Sequence, residues 1–230
     1  MAETITIIDD RTGKQVTVPI AGGAFSSAAL RELDPKLRMY DPAFLSTAAC
    51  KSAITYLDGD AGVLRYRGYP IEQLAEKSNF LEVAYLLLNG ELPTEAQSEK
   101  WVYDVTHHTM IHENMRKRFV DGFHHDAHPM GMFVSATAAL GTFYTDAKDI
   151  DGTDSLHKQT LRLIAKSPTI AAMCYRFSMG LPFVSPNNSL DYSANFLNMM
   201  FRIGDDYRIN PVLTKAMDLL FILHADHEQN

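Results

Sequence analysis

The stretch Phe80–Gln97 reads FLEVAYLLLNGELPTEAQ, and it decides the fold class because it predicts two helices a few residues apart. Phe80–Leu88 is nearly all apolar, which predicts a helix that is buried on most of its sides. Thr94 is followed three residues later by Gln97, a pair typical of a capping box, so a second helix is expected to begin there and to continue through Trp101. Two helices so closely spaced favour a mainly α-helical protein.

The residues before this stretch predict short strands. Thr4–Ile8 and Gln15–Pro19 are rich in β-branched residues and are separated by turn residues, which predicts an N-terminal hairpin. A second hairpin is expected from Ser52–Leu57 and Val63–Tyr66, because the residues between them include two glycines and two aspartates. Pro70 then suits the first position of a helix.

The residues after the stretch predict more helices, with glycines and X-Pro steps marking their ends. These helices are Pro129–Tyr144, Asp154–Ala165, Thr169–Met179, Tyr192–Phe201 and Pro211–Asp226. We therefore predict a mainly α fold in two parts. Residues 1–48 form the hairpin and an irregular segment, and residues 49–230 form a helical domain.

Composition and charge describe an acidic soluble protein. The 230 residues are 46% hydrophobic and 21% charged, with a net charge of −7, which argues against a nucleic-acid partner. No apolar run approaches the roughly 20 residues that span a bilayer, and Met1–Thr4 lacks the features of a signal peptide. Cys50 and Cys174 are expected to be reduced core residues, because nothing indicates export to an oxidising compartment.

Histidine clusters are the first candidates for chemistry. His108 and His112 would share a face if the Thr94 helix continued past them. The three clusters are His107, His108 and His112; His124, His125 and His128; and His224 and His227 near the end of the last helix.

A metal site is the first interpretation to weigh for these histidines. The run His124-His125-Asp126 resembles the His-Asp pair of helical metal-dependent phosphohydrolases, with His108 as an available further ligand. The sequence contains no HExxH, no CxxC and no repeated Glu-x-x-His pair. Helix-capping or otherwise hydrogen-bonded histidines are therefore favoured, and no metal site is predicted. The phosphohydrolase remains an alternative.

A series of motifs, in order along the chain, resembles the citrate synthase family. Each motif is weak alone, but together they are specific, and the likeness is greatest to the bacterial type that forms hexamers. The motifs are Ser52–Ile71, Leu81–Thr94, His107–His112, Ala127–Met130, Ser167–Ala172, Asn195–Phe201 and His224–Asn230.

The resemblance implies a helical large domain, here incomplete and without the small domain, in a homodimer or hexamer. It implies an acyltransferase of the tricarboxylic acid cycle that condenses acetyl-CoA with oxaloacetate and water to give citrate and CoA. His227 matches the histidine that binds oxaloacetate, and His224 borders the same site. No cofactor, membrane or nucleic acid is implied, since acetyl-CoA is a substrate, and a cytoplasmic location is expected.

The catalytic residues of the family are not matched within the chain. The Gly-Pro-x-His-Gly-Gly motif and the aspartate that acts as the base have no counterpart in residues 1–230. These 230 residues alone are therefore expected to be inactive. A non-catalytic oligomerisation module is a further alternative, with the helices Phe80–Leu88 and Pro129–Tyr144 as its interface.

The resemblance also implies an allosteric nucleotide site. The nucleotide-regulated branch of the family has a cationic effector site, and the corresponding residues here are His108, Thr109, Tyr144, Arg162 and Lys166. Arg162 and Lys166 would lie one turn apart on a helix and could anchor phosphates. Two departures from that branch are His107, where it has arginine, and the segment Arg202–Tyr207, which is shorter and lacks its cysteine. Inhibition by NADH is the resulting hypothesis, and simple surface charges are the alternative.

Overall fold

The computed structural model describes residues 3–149 and 151–226. The chain divides into two compact units, one up to Ser52 and one from Ala53 onward. The fold is mainly helical, with a small strand-containing N-terminal segment, as the sequence predicts.

The first unit is a hairpin followed by a short helix. Strands β1 (Thr4–Asp9) and β2 (Lys14–Pro19) pair in antiparallel register, and helix α1 is Leu30–Leu33. Asp9 closes the turn, because its carboxylate accepts bonds from the backbone N–H and the guanidinium of Arg11 at 2.9–3.0 Å.

The second unit begins with a three-stranded antiparallel sheet in the order β3-β4-β5. The strands are β3 (Thr55–Asp58), β4 (Val63–Tyr66) and β5 (Tyr69–Pro70). The predicted hairpin is present, but Pro70 ends β5 and is the N-cap of the next helix, not its first residue. Its φ of −60° and ψ of 138° are extended, which suits the pairing of Pro70 with Arg65.

Within residues 71–149 and 151–226, eight α-helices follow the sheet. They are α2 (Ile71–Lys77), α3 (Phe80–Asn89), α4 (Glu95–Thr106), α5 (Glu113–Arg118), α6 (Pro129–Leu140), α7 (Thr153–Ser178), α8 (Tyr192–Phe201) and α9 (Pro211–Leu223). Thr94 and Gln97 form the predicted capping box at the start of α4.

Helix α3 is buried on two faces. Leu81 and Ala84 pack with Trp101 of α4, whereas Val83 and Leu86 pack with Ile222 of α9. A glycine ends the helix, since Gly90 has a φ of 92°, a conformation that disfavours other residues. The prediction that this helix is largely buried is confirmed.

Helix α7 corrects the sequence prediction of two helices broken near Pro168. It runs unbroken for 26 residues with Pro168 inside it. Proline has no N–H for the carbonyl four residues earlier, which belongs to Ile164. The hydroxyl of Tyr192 donates to that carbonyl at 2.9 Å, so the bond lost at Pro168 is replaced from α8.

Several other predicted helix bounds are wrong. Helix α6 ends at Leu140 and is followed by a 3₁₀ turn, Gly141–Phe143. Helix α9 ends at Leu223, where His224 is the C-cap. Helix α4 ends at Thr106, so His108 and His112 do not share a helix face, and His112 is instead the N-cap of α5.

The two cysteines are free and differ in burial. Cys174 is a buried core residue on α7, as predicted, but Cys50 is exposed. The prediction that both are core residues is therefore wrong for Cys50.

Candidate functional site

The end of helix α9 forms a corner against strands β3 and β4. Asp226 accepts a hydrogen bond from the hydroxyl of Thr55, and the Tyr66 hydroxyl donates to the Leu223 carbonyl at 3.3 Å. Burial raises the pKa of Tyr66, which keeps it a neutral donor. Ile222, fully buried, holds the same end of the helix to the core. We call Thr55, Tyr66, His224 and Asp226 the α9 corner.

His224 is an exposed residue at this corner, and its tautomer is set by the helix. Its Nδ1 lies 2.8 Å from the Leu220 carbonyl. Because a carbonyl oxygen only accepts, Nδ1 carries the hydrogen, and neutral His224 presents a lone pair on Nε2. His227, the other predicted oxaloacetate residue, lies outside the described residues.

A second candidate site is centred on Tyr144, whose ring has two cationic side chains over it. The structure brings together four of the five predicted nucleotide-site residues here through direct contacts. The Arg162 guanidinium lies 4.1 Å from the centroid of the Tyr144 ring, and Lys166 Nζ lies 5.6 Å from it. The His108 carbonyl accepts a bond from Lys166 at 2.6 Å. We call His108, Thr109, Tyr144, Arg162 and Lys166 the Tyr144 cluster.

Lys166 is buried in this cluster, with 3% of its surface exposed. Its Nζ donates to the carbonyls of His108 and Met110 at 2.6 and 2.5 Å. The hydroxyl of Thr169 donates to the carbonyl between them, that of Thr109, at 2.9 Å. Burial, with added repulsion from Arg162, lowers the pKa of Lys166 to about 8.

Arg162 already has an anionic partner. It donates to the carboxylate of Asp146 at 2.7 Å, and this bond lowers the pKa of Asp146 to about 2. The Arg162 Nε and the Gln159 Nε2 are buried and have no hydrogen-bond partner among the described residues. Because the Asp146 carboxylate is bound at Arg162 Nη1, a phosphate bound at that nitrogen would compete with Asp146 for it.

The remaining members of the Tyr144 cluster are tied to the backbone or to loops. His108 Nδ1 donates to the Asp104 carbonyl at 2.6 Å, and the Thr109 hydroxyl donates to Asn188 at 2.8 Å. Asn188 and Asp146 were not predicted as parts of this site. Asn188 lies 79 residues after Thr109, and Asp146 lies only two residues after Tyr144, where its proximity could have suggested a role.

For the alternative of a metal-dependent phosphohydrolase, the structure shows only a local cluster of ligands. Among the described residues, the ligand atoms of His124, His125 and Asp126 lie within 4.8 Å of one another, and all three side chains are exposed. His108 does not belong to this group. The described residues therefore do not assemble the pocket that a helical metal-dependent phosphohydrolase needs.

A cavity of about 550 Å³ lies between helices α4, α8 and α9. Its lining includes Val102, Tyr192 and Lys215, but no residue of the α9 corner or of the Tyr144 cluster. Within the described part of the chain, no helix is both long and apolar enough to cross a membrane.

Comparisons with known proteins agree on one family. The family profile "Citrate synthase, C-terminal domain" matches residues 43–230. Two similar proteins of Dictyostelium discoideum are a citrate synthase and a peroxisomal citrate synthase, each 48% identical over 99% of this chain. The match covers 47% of the first and 49% of the second, so the chain spans about half the length of these relatives.

Solved structures give the same result. The citrate synthase of Pyrobaculum aerophilum is 34% identical with a TM-score of 0.73, over 83% of this chain and 49% of that one. The enzyme of Thermoplasma acidophilum, solved with carboxymethyl coenzyme A and oxaloacetate, is 27% identical with a TM-score of 0.71. That match covers 80% of this chain and 47% of that one. The chain belongs to the citrate synthase family.

Proposed function

We propose that the protein carrying this chain is an acyltransferase that condenses acetyl-CoA with oxaloacetate and water to give citrate and CoA. The observation that carries the proposal is the family match over residues 43–230. A related enzyme that binds oxaloacetate and a CoA analogue supports these two substrates. No cofactor is needed, since acetyl-CoA is consumed as a substrate.

The α9 corner is the part of this chain that we assign to oxaloacetate. His224 is exposed there on a helix end that Thr55 and Tyr66 hold in place. His227, three residues further on, is the second proposed ligand. An imidazolium beside a dicarboxylate forms a charge-assisted hydrogen bond, which is stronger than a neutral one.

Substitution of the two histidines tests this role in an active citrate synthase whose sequence includes this chain. His224→Ala and His227→Ala should each raise the KM for oxaloacetate about tenfold or more, the equivalent of one charge-assisted bond. The KM for acetyl-CoA should change little. His107→Ala, an exposed histidine outside the corner, is the control. An equal rise for both substrates would contradict the assignment.

The oligomeric state and the cellular location that we propose follow the resemblance to the bacterial hexameric type. In that resemblance, this chain corresponds to the N-terminal half of the family pattern. We propose a homodimer or hexamer in the cytoplasm. Residues 1–230 expressed alone should not release CoA from acetyl-CoA and oxaloacetate, because the catalytic histidine and aspartate motifs are not among them. Appreciable turnover in a thiol-release assay would contradict this expectation.

Nucleotide regulation is a second candidate function, favoured by the cations at Tyr144. Arg162 and Lys166 both lie over that ring, and the His108 carbonyl accepts a hydrogen bond from Lys166. We propose that an anionic nucleotide such as NADH binds there by displacing Asp146 from Arg162.

Calorimetry with NADH tests this site in the same enzyme. Asp146→Asn should strengthen binding, because the competing carboxylate is gone, and Arg162→Ala should weaken it. Lys77→Ala is the control, because Lys77 is an exposed lysine on α2 outside the Tyr144 cluster and its loss should leave binding unchanged. The absence of heat in both the parent and Asp146→Asn would rule out the site.

A further inference from the structure

The turn His124–Ala127 joins a 3₁₀ turn to helix α6. It is closed by the Ala127 N–H, which donates to the His124 carbonyl at 3.0 Å. His124 Nδ1 contacts the Asp126 carboxylate, and the rings of His124 and His125 have centroids 4.5 Å apart. The turn therefore gathers two imidazoles and one carboxylate on the surface.

In most of the other described histidines, one ring nitrogen is hydrogen-bonded to the backbone. These residues are His107, His108, His112, His128 and His224. The Nδ1 atom of each is hydrogen-bonded either to a backbone carbonyl or to a backbone N–H. Within residues 3–149 and 151–226, no backbone bond is recorded for the rings of His124 and His125. Apart from the contact of His124 Nδ1 with Asp126, which itself lies in the turn, these ring nitrogens can therefore accept an external ligand.

We propose that this turn binds a divalent transition-metal ion of the zinc type through His124, His125 and Asp126. Imidazole nitrogen and carboxylate oxygen are ligands that zinc accepts, at about 2.0–2.2 Å from the ion. Water would complete the four positions, as in zinc sites with three protein ligands. The sequence predicts no metal, because three neighbouring residues are a weak pattern until their ligand atoms are seen together.

The geometry requires a small adjustment. The ligand atoms lie within 4.8 Å of one another, whereas ligands on one ion are closer. All three side chains are exposed, so they can rotate without disturbing the core. The ion takes the place of the hydrogen between His124 Nδ1 and Asp126, and the His124 ring then carries its hydrogen on Nε2. His128 stays with its helix, since its Nδ1 accepts the Met130 N–H at 3.2 Å.

Calorimetric titration of the metal-free full chain with Zn²⁺ tests the site. The parent should bind one ion in the micromolar range. His124→Ala, His125→Ala and Asp126→Asn should each weaken binding about tenfold or more, as loss of a metal contact does. His157→Ala is the matched control, because His157 is exposed on α7 outside the turn and should leave the affinity unchanged.

Co²⁺ gives a second readout that does not depend on stability. The parent should show the visible absorption of Co²⁺ bound in the turn, and the double variant His124→Ala/His125→Ala should not. Equal Zn²⁺ affinity in the parent and the double variant would overturn the proposal, and so would a parent that binds no Zn²⁺. Binding at this turn is independent of citrate formation, so either result leaves the proposed function untouched.

Discussion

Lys166 is a buried cation whose recorded acceptors are two backbone carbonyls. Its pKa of about 8 lies below the ordinary value of 10.5, because burial disfavours the charged form. Between those two values the unfolded chain binds more protons than the folded one. The contribution of Lys166 to the free energy of unfolding therefore rises between about pH 8 and about pH 10.5. The slope is at most ~1.4 kcal/mol per pH unit.

Lys166→Met should remove this rise. Near pH 7 the substitution loses two hydrogen bonds but also removes a buried charge, so the net change in stability should be small. Above pH 8 the parent should gain stability relative to the variant. Urea unfolding of both proteins at pH 7, 8, 9 and 10 measures the difference. If the difference in unfolding free energy between the two proteins stayed constant over this range, the lowered pKa of Lys166 would be contradicted.

At the scale of helices, α7 stays continuous because a residue of another helix supplies what Pro168 lacks. Tyr192→Phe should lower the free energy of unfolding by about 1–3 kcal/mol, since it leaves the Ile164 carbonyl buried without a donor. Burial raises the pKa of Tyr192, so the hydroxyl remains protonated at the pH of the measurement.

Pro168→Ala provides the matching control for Tyr192. Alanine restores an N–H that can donate to Ile164, so Tyr192→Phe should cost less in that background. Urea unfolding of the parent, both single variants and the double variant completes the cycle. The same cost in both backgrounds would show that the hydroxyl does not replace the missing backbone bond.

Helix α6 begins at a histidine cap, which offers a simpler test. His128 Nδ1 accepts the Met130 N–H, the role that asparagine plays at many helix starts. His128→Ala should cost about 1 kcal/mol of stability, and His128→Asn should cost much less. Thermal unfolding would contradict the cap if alanine and asparagine had equal effects.

Across the whole molecule, the two cysteines report on local and global opening. Cys50 is exposed, whereas burial raises the pKa of Cys174 to about 11 and shields its thiol. A thiol reagent should label one cysteine per native chain and two in urea. Cys50→Ser should show no native labelling, and rapid native labelling of that variant would contradict the burial of Cys174.

Local sequence patterns predicted much of this fold. The Thr94 capping box and the bounds Tyr192–Phe201 follow from neighbouring residues, and the structure shows both. The continuity of α7 could not be predicted, because the donor to Ile164 lies 28 residues away on another helix.

The candidate site was likewise predictable only in part. Family motifs pointed to His224 and to Lys166. They did not indicate that Thr55 would hold Asp226, which lies 171 residues away. Nor did they indicate that Asp146, two residues after Tyr144, would already be bound to Arg162.

The bond between Thr55 and Asp226 joins residues 171 positions apart. A chain is synthesised at about 5–20 residues per second, so Asp226 is added on the order of ten seconds or more after Thr55. Closing so long a loop is also slow compared with forming the helices inside it. The surface assigned to oxaloacetate should thus be among the last parts of this unit to take shape, after most of the surrounding core has formed.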